Sequence, residues 1–168
     1  TGKAEICYAM KANPFLIKPM LEIVSSLEVC SPGEFRICER AGIPMEKIVL
    51  SGVYKNPDDI AYMLDTYGNR GTYTVESLQH LEVLNDTAVR HGITLSVLIR
   101  VTSGNQFGID EAEIRKIISE REKYTGIEIE GIQFYSGTQK RNLSQMQEEL
   151  KHLDTFIREL EEIGGMEI

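Results

Sequence analysis

Lys11, Glu28 and Arg100 are ionisable residues set in otherwise apolar, strand-like stretches. Lys11 ends the largely apolar run from Ala4 to Met10, just before a turn at Asn13-Pro14. That places its amine at the carboxyl end of a buried strand, aimed above the sheet. Two readings are open: a solvated strand end whose stem packs on the rim, or a reactive amine. Glu28 lies between Leu27 and Val29, and Arg100 follows Leu95-Ser96-Val97-Leu98-Ile99. An arginine there is costly to bury unless it meets an anion. Together the three describe a lysine held among fixed charges. That setting suits Schiff-base chemistry, because it tunes the lysine pKa and positions the imine. Tyr135 adds an aromatic ring, and Ser136-Gly137-Thr138 offers hydroxyls and backbone N–H groups for one side of a phosphate.

The elements that must position these residues alternate between strand and helix. Strands are predicted over Glu5 to Lys11, Leu27 to Cys30, Lys47 to Ser51, Thr72 to Val75, Thr94 to Val101 and Ile127 to Tyr135. The first helix spans Lys18 to Ser26 with Pro19 in its first turn. Ser31-Pro32-Gly33-Glu34 opens the second with a capping box, and Gly42 ends it. Asn56-Pro57-Asp58-Asp59 opens the third, which ends near Gly68. The fourth starts at Ser77, carries Leu78, Leu81, Leu84 and Ala88 at helical spacing, and stops at Gly92. Asp110 and Glu113 box the fifth. The sixth and longest runs from Leu143 to Ile163 and ends at Gly164-Gly165. Met166-Glu167-Ile168 reads as the start of a seventh strand.

No hairpin signal interrupts the six βα units, so the strands are expected to be parallel with right-handed crossovers. The choice is an open doubly wound sheet or a closed (β/α)8 barrel. Even unit pitch, and the absence of G-x-G-x-x-G after any strand, favour the barrel. A complete barrel needs about 250 residues, so the 168 residues here are expected to form one α/β domain, an incomplete TIM-type barrel. In such a fold the strand carboxyl ends carry the site. Ser51 and Glu76 then join the candidates, with Glu76 equally readable as a helix-start acid. Glu34 is most simply half of the capping box.

Composition narrows the partners. The net charge of −8 argues against a nucleic-acid surface, which needs a basic face. No apolar run reaches the ~18–20 residues of a membrane span, and no secretory leader is visible. Cys7, Cys30 and Cys38 are odd in number and lack ligand spacing, so they read as buried thiols in a reducing cytoplasm. The three histidines, His80, His91 and His152, all fall in helices, so no histidine-based metal site is expected.

The lysine stretch Tyr8-Ala9-Met10-Lys11-Ala12-Asn13 resembles the Y-A-x-K-A-N signature of the fold-type III pyridoxal-phosphate (PLP) decarboxylases. These are the diaminopimelate, ornithine and arginine decarboxylases, with alanine racemase a more distant relative. Further segments match in the same order: Ser31-Pro32-Gly33-Glu34, Ile48 to Val53, Val75-Glu76-Ser77-Leu78, Arg100-Val101 with Phe107-Gly108-Ile109, and Gly131 to Gln139. The resemblance implies that Lys11 forms the Schiff base and that Glu28 is an acid near it. It implies that Arg100 lies beside the cofactor ring and that Thr138 helps hold the phosphate. The family decarboxylases usually carry a histidine that stacks on the ring where this chain has Tyr135. A tyrosine can also stack.

The resemblance therefore implies a PLP-dependent amino-acid decarboxylase, diaminopimelate-decarboxylase-like, working as a cytoplasmic homodimer on a small amino acid. The cofactor serves as electron sink while the α-carboxylate leaves as CO2. The glycine-rich phosphate loop, the acid for the pyridine nitrogen and the β-domain are expected beyond these residues, so the segment alone is expected to be inactive. A racemase, a decarboxylase of a carrier-bound amino acid and a catalytically silent binding protein of the same fold are the alternatives.

Overall fold

The computed structural model describes residues 4–52, 54–138 and 142–168. Six parallel strands form one sheet in sequence order: β1 (Cys7–Ala9), β2 (Ser26–Val29), β3 (Ile48–Leu50), β4 (Thr72–Val75), β5 (Leu95–Val101) and β6 (Ile127–Phe134). A doubly wound sheet reverses its strand order at a switch point. This sheet never does. With every crossover running the same way, the helices line one face and the sheet winds as a barrel does.

The sequence sorts the two faces by alternation. Leu27, Val29, Ile48, Leu50, Tyr73, Val75, Leu95, Val97, Ile99 and Val101 are buried on the helix side. They form one core with Phe35, Ile60, Met63, Leu81, Leu84, Ile114 and Phe156. The intervening residues, among them Glu28, Thr74, Ser96, Arg100 and Gln133, face the barrel axis. A polar inner face over an apolar outer layer places the chemistry inside the barrel.

The helices are α1 (Ile17–Met20), α2 (Pro32–Arg40), α3 (Pro57–Tyr67), α4 (Leu78–His91), α5 (Glu111–Ser119) and α6 (Leu143–Gly164). The expected caps form: Ser31, Asn56, Ser77 and Asp110 each accept a backbone N–H from the first turn of their helix. Gly92 closes α4 with φ +67°. Two expectations shift. The first helix has only four residues, not nine, with Pro19 inside it. The amides of Ser25 and Ser26 bond to Ile6 O instead, which draws that stretch into the sheet. The capping box at Ser31 is half realised: Ser31 Oγ accepts from Glu34 N, but the Glu34 carboxylate accepts from Cys30 N at 2.7 Å.

β1 is also shorter than expected. The chain leaves the sheet after Ala9 and turns through a 3-10 segment, Met10–Ala12. Asn13 then caps the next turn by accepting from Phe15 N. Residues 166–168 pair with no strand; Ile168 N donates to Glu161 Oε1. Among the cysteines only Cys38 is buried, whereas Cys7 is exposed and Cys30 half-buried. Cys7 and Cys30 belong to the barrel-facing rows, which the helices do not cover. Among the described residues, no helix is long and apolar enough to cross a membrane.

Candidate active site

A buried ion pair lies at the carboxyl ends of β4 and β5. Arg100 Nη1 donates to Glu76 Oε2 at 2.6 Å, and the Glu76 side chain is only 2% exposed. A carboxylate that deep needs several donors. Glu76 has them: Gly52 N at 2.7 Å and Thr74 Oγ1 at 3.4 Å both reach Oε1. The Glu76 amide donates to His80 Nδ1 at 3.3 Å, which ties the residue to the first turn of α4. Arg100 is held from its other side by Phe107, whose ring centroid is 5.3 Å from the guanidinium carbon. Phe107 is placed by the loop after β5, which closes through Ile109 N to Arg100 O and Thr102 N to Ile109 O. Gly108 permits that closure: at φ +86°, a Cβ would sit 2.8 Å from Thr102 N.

The turn after β3 links this pair to β2. Ser51 Oγ donates to Glu28 Oε1 at 2.8 Å and lies 3.3 Å from Cys30 Sγ. The next residue, Gly52, aims its N–H at Glu76. Lys55 Nζ donates to Gly52 O at 2.9 Å, and burial pushes the Lys55 amine down to about 8, against the pull of Glu76 and Cys30. Burial raises the Cys30 thiol, with the Ser51 hydrogen bond opposing; Glu28 raises it further and Lys11 lowers it. Lys11 therefore stands near enough to β2 for its charge to be felt there.

Lys11 itself is exposed in the 3-10 turn after β1. Among the described residues it makes no hydrogen bond or ion pair, so its amine is available to a ligand. Tyr135 directly follows β6 with its side chain 47% exposed. Thr138 is exposed two residues past Ser136, whose hydroxyl donates to Glu149 Oε2 at 2.9 Å. Gln139, the last residue of the matching segment, lies outside the described residues.

The structure thus places all five expected residues, Lys11, Glu28, Arg100, Tyr135 and Thr138, at the carboxyl end of the sheet or on the inner face below it. It regroups the charges. Arg100 is paired with Glu76, not with Glu28, and Glu28 is held by Ser51. Phe107 and Gly52 fell within matching segments but were given no role, and Lys55 was missed. The signal for Lys55 was weak, because a lysine before an Asn-Pro cap reads as solvent-facing. The signal for Glu76 was present: an acid one residue past Thr72–Val75 is in line with the strand-end arginine of the next strand.

The whole chain compares closely with one group of known proteins. Residues 1–167 match the family described as pyridoxal-dependent decarboxylase, pyridoxal binding domain. The chain belongs to that family. A diaminopimelate decarboxylase of Aquifex aeolicus is 31% identical over 96% of this chain and 42% of its own length. The Zymomonas mobilis diaminopimelate decarboxylase is 27% identical over 97% of this chain. Among solved structures, diaminopimelate decarboxylase from Methanocaldococcus jannaschii superposes with a TM-score of 0.83 at 28% identity, covering 98% of this chain and 42% of that one. The Helicobacter pylori enzyme in complex with L-lysine gives 0.84 at 26% identity, covering 96% and 45%. The chain spans about two-fifths of the length of the relatives it matches.

Proposed function

We propose that this member of the pyridoxal-dependent decarboxylase family is the cofactor-binding part of an amino-acid decarboxylase resembling diaminopimelate decarboxylase, and that Lys11 holds the cofactor as a Schiff base. One observation carries the reading: an unpaired lysine amine shares the mouth of the barrel with a fixed guanidinium and an exposed aromatic ring. That donor set fits PLP, which combines an aldehyde, an aromatic ring and a phosphate. Pyridoxal phosphate, when bound, supplies an electron sink for the charge left as the substrate carboxylate departs as CO2.

The chain's own residues have separable parts. Lys11 offers a nucleophilic amine that no carboxylate within ion-pair distance ties up. Arg100, kept in place by Glu76 and Phe107, would offer a fixed positive charge to the bound cofactor without having to reorganise. Glu28, whose carboxylate accepts from Ser51 Oγ, supplies a fixed negative charge on the β2 side of the site. Tyr135 offers a face for stacking, and Thr138 a hydroxyl for phosphate. The working form is a homodimer of the full-length protein in the cytoplasm.

Full-length protein mixed with PLP is expected to develop a visible absorption band that borohydride reduction fixes onto Lys11, located by peptide mass. Lys11→Ala should show neither. No band, or an adduct on another lysine, overturns the assignment. The holoenzyme is then assayed for CO2 release from meso-diaminopimelate, lysine, ornithine and arginine. Tyr135, standing where the family decarboxylases usually carry histidine, supports a second reading as a racemase. Loss of optical activity from a single enantiomer without CO2 release would select it.

A further inference from the structure

Lys55 is half-buried just before α3, yet among the described residues its ammonium forms no ion pair. Lysine is among the residues least often buried without an ionic partner. Its Nζ donates instead to a backbone carbonyl, Gly52 O, at 2.9 Å. The residue shares a small pocket with Val29, Leu50, Ile60 and Met63. Asn56, the next residue, caps α3 by accepting from Asp58 N. The lysine backbone is therefore anchored to a helix end, and its amine reaches back to the turn after β3.

Gly52 is the residue that this bond constrains. Its N–H donates to Glu76 Oε1 at 2.7 Å, and Glu76 Oε2 holds Arg100 Nη1 at 2.6 Å. On another side it abuts Cys30 O, which a Cβ would approach to 2.3 Å. Lys55 thus begins a chain of contacts, through Gly52 and Glu76 to Arg100, that runs from the start of α3 to the mouth of the barrel. Charge acts along the same line. Glu76 and Cys30 both pull on the Lys55 ammonium, so Glu76 is drawn on by two cations, Arg100 in contact and Lys55 from further off. The groups that face the ammonium are Glu76, with Arg100 beyond it, Cys30 at the top of β2, and Tyr54 and Asp59 on the wall of the pocket. Burial holds the Cys30 thiol above its ordinary value, whereas it brings the Lys55 amine down to about 8.

We propose that Lys55 is a positioning residue for the cofactor: its ammonium fixes Gly52, the Gly52 N–H fixes Glu76, and Glu76 holds the Arg100 guanidinium toward bound pyridoxal phosphate. The assignment rests on the functional reading above, which gives Arg100 to the cofactor. It explains why a cation is kept half-buried beside an apolar pocket, where methionine would fill the space without a charge to desolvate.

Full-length wild type, Lys55→Met and Lys55→Arg are compared for apo unfolding stability and for PLP affinity by absorbance titration, from about pH 6.5 to about pH 9.5. Near pH 7, Lys55→Met is expected to be at least as stable as wild type yet to bind PLP about tenfold more weakly, the scale of one charge-assisted hydrogen bond. A residue that only supported the fold would lose stability and affinity together. Affinity ratios between variants cancel the titration of the cofactor and of Lys11. The advantage of wild type over Lys55→Met should shrink as pH rises through about 8, where the amine loses its charge. Lys55→Arg stays charged throughout, so its advantage over Lys55→Met should not change with pH. In a Glu76→Leu/Arg100→Met background, adding Lys55→Met should cost no further affinity, because the contacts it acts through are gone. Wild-type affinity in Lys55→Met, a matching loss of stability, a wild-type advantage that is flat with pH, a Lys55→Arg advantage that falls with pH, or a full further loss in the Glu76→Leu/Arg100→Met background each overturns the assignment. Absence of a borohydride-fixed Lys11 adduct in wild type sinks the functional reading and this one together. A Lys11 adduct accompanied by any of those results sinks this one alone.

Discussion

Arg100 Nη1 and Glu76 Oε2 lie 2.6 Å apart at the tops of two neighbouring strands, with side chains 14% and 2% exposed. Deleting one partner of a buried pair leaves the other uncompensated and costs about 3–5 kcal/mol. Glu76→Ala and Arg100→Met should each lower unfolding stability by that order, read by urea titration of the full-length protein. The double variant Glu76→Leu/Arg100→Met should recover part of the loss, because both charges leave the interior together. PLP affinity should not recover with it, since the guanidinium is gone. Additive losses in the double variant would show that the two side chains do not depend on each other.

Gly52 connects that pair to β2. At φ +97° a substituted Cβ would sit 2.3 Å from Cys30 O, and the backbone must also deliver its N–H to Glu76. Gly52→Ala combines a left-handed strain of order 1–3 kcal/mol with displacement of a backbone carbonyl. It should destabilise the protein by at least about 2 kcal/mol and weaken PLP binding through Glu76 and Arg100. Gly42 is the control. It also has positive φ, +72°, but a Cβ there meets nothing within 4 Å, so Gly42→Ala should cost about 1 kcal/mol and leave PLP affinity unchanged.

The parallel six-strand order and the caps were legible because each rests on a local signal: alternating apolar runs, and Ser31, Asn56, Ser77 or Asp110 before a helix. Lys11, Arg100 and Glu28 were legible as ionisable residues in apolar surroundings. What a single sequence could not show was which charge meets which. Glu76 and Glu28 are both acids near strand ends, and only the register of β4 against β5 puts Glu76 beside Arg100. The short first helix was misread because Ser25 and Ser26 spend their amides on Ile6 O, a long-range bond with no local signature.

Lys55 offers a test in pH. Burial brings its amine down to about 8 from the model-compound value of 10.5. Below about pH 8 the amine is charged in both folded and unfolded chains, and the folded state carries the full desolvation penalty. Between about pH 8 and 10.5 the unfolded chain binds more protons than the folded one, so this residue's contribution to stability rises with pH. Above that window both forms are neutral and the gain is complete, of order 3 kcal/mol at most. Lys55→Met removes the titration while keeping the stem. Subtracting the variant's unfolding free energy from that of wild type cancels the other groups that titrate in the window. The difference should climb from pH 7.5 to 10.5, and the variant should match or exceed wild type at pH 7 despite losing the bond to Gly52 O. A flat difference would mean that the Lys55 ammonium is hydrated in the folded protein and does not hold the Ser51-Gly52 turn from within the interior.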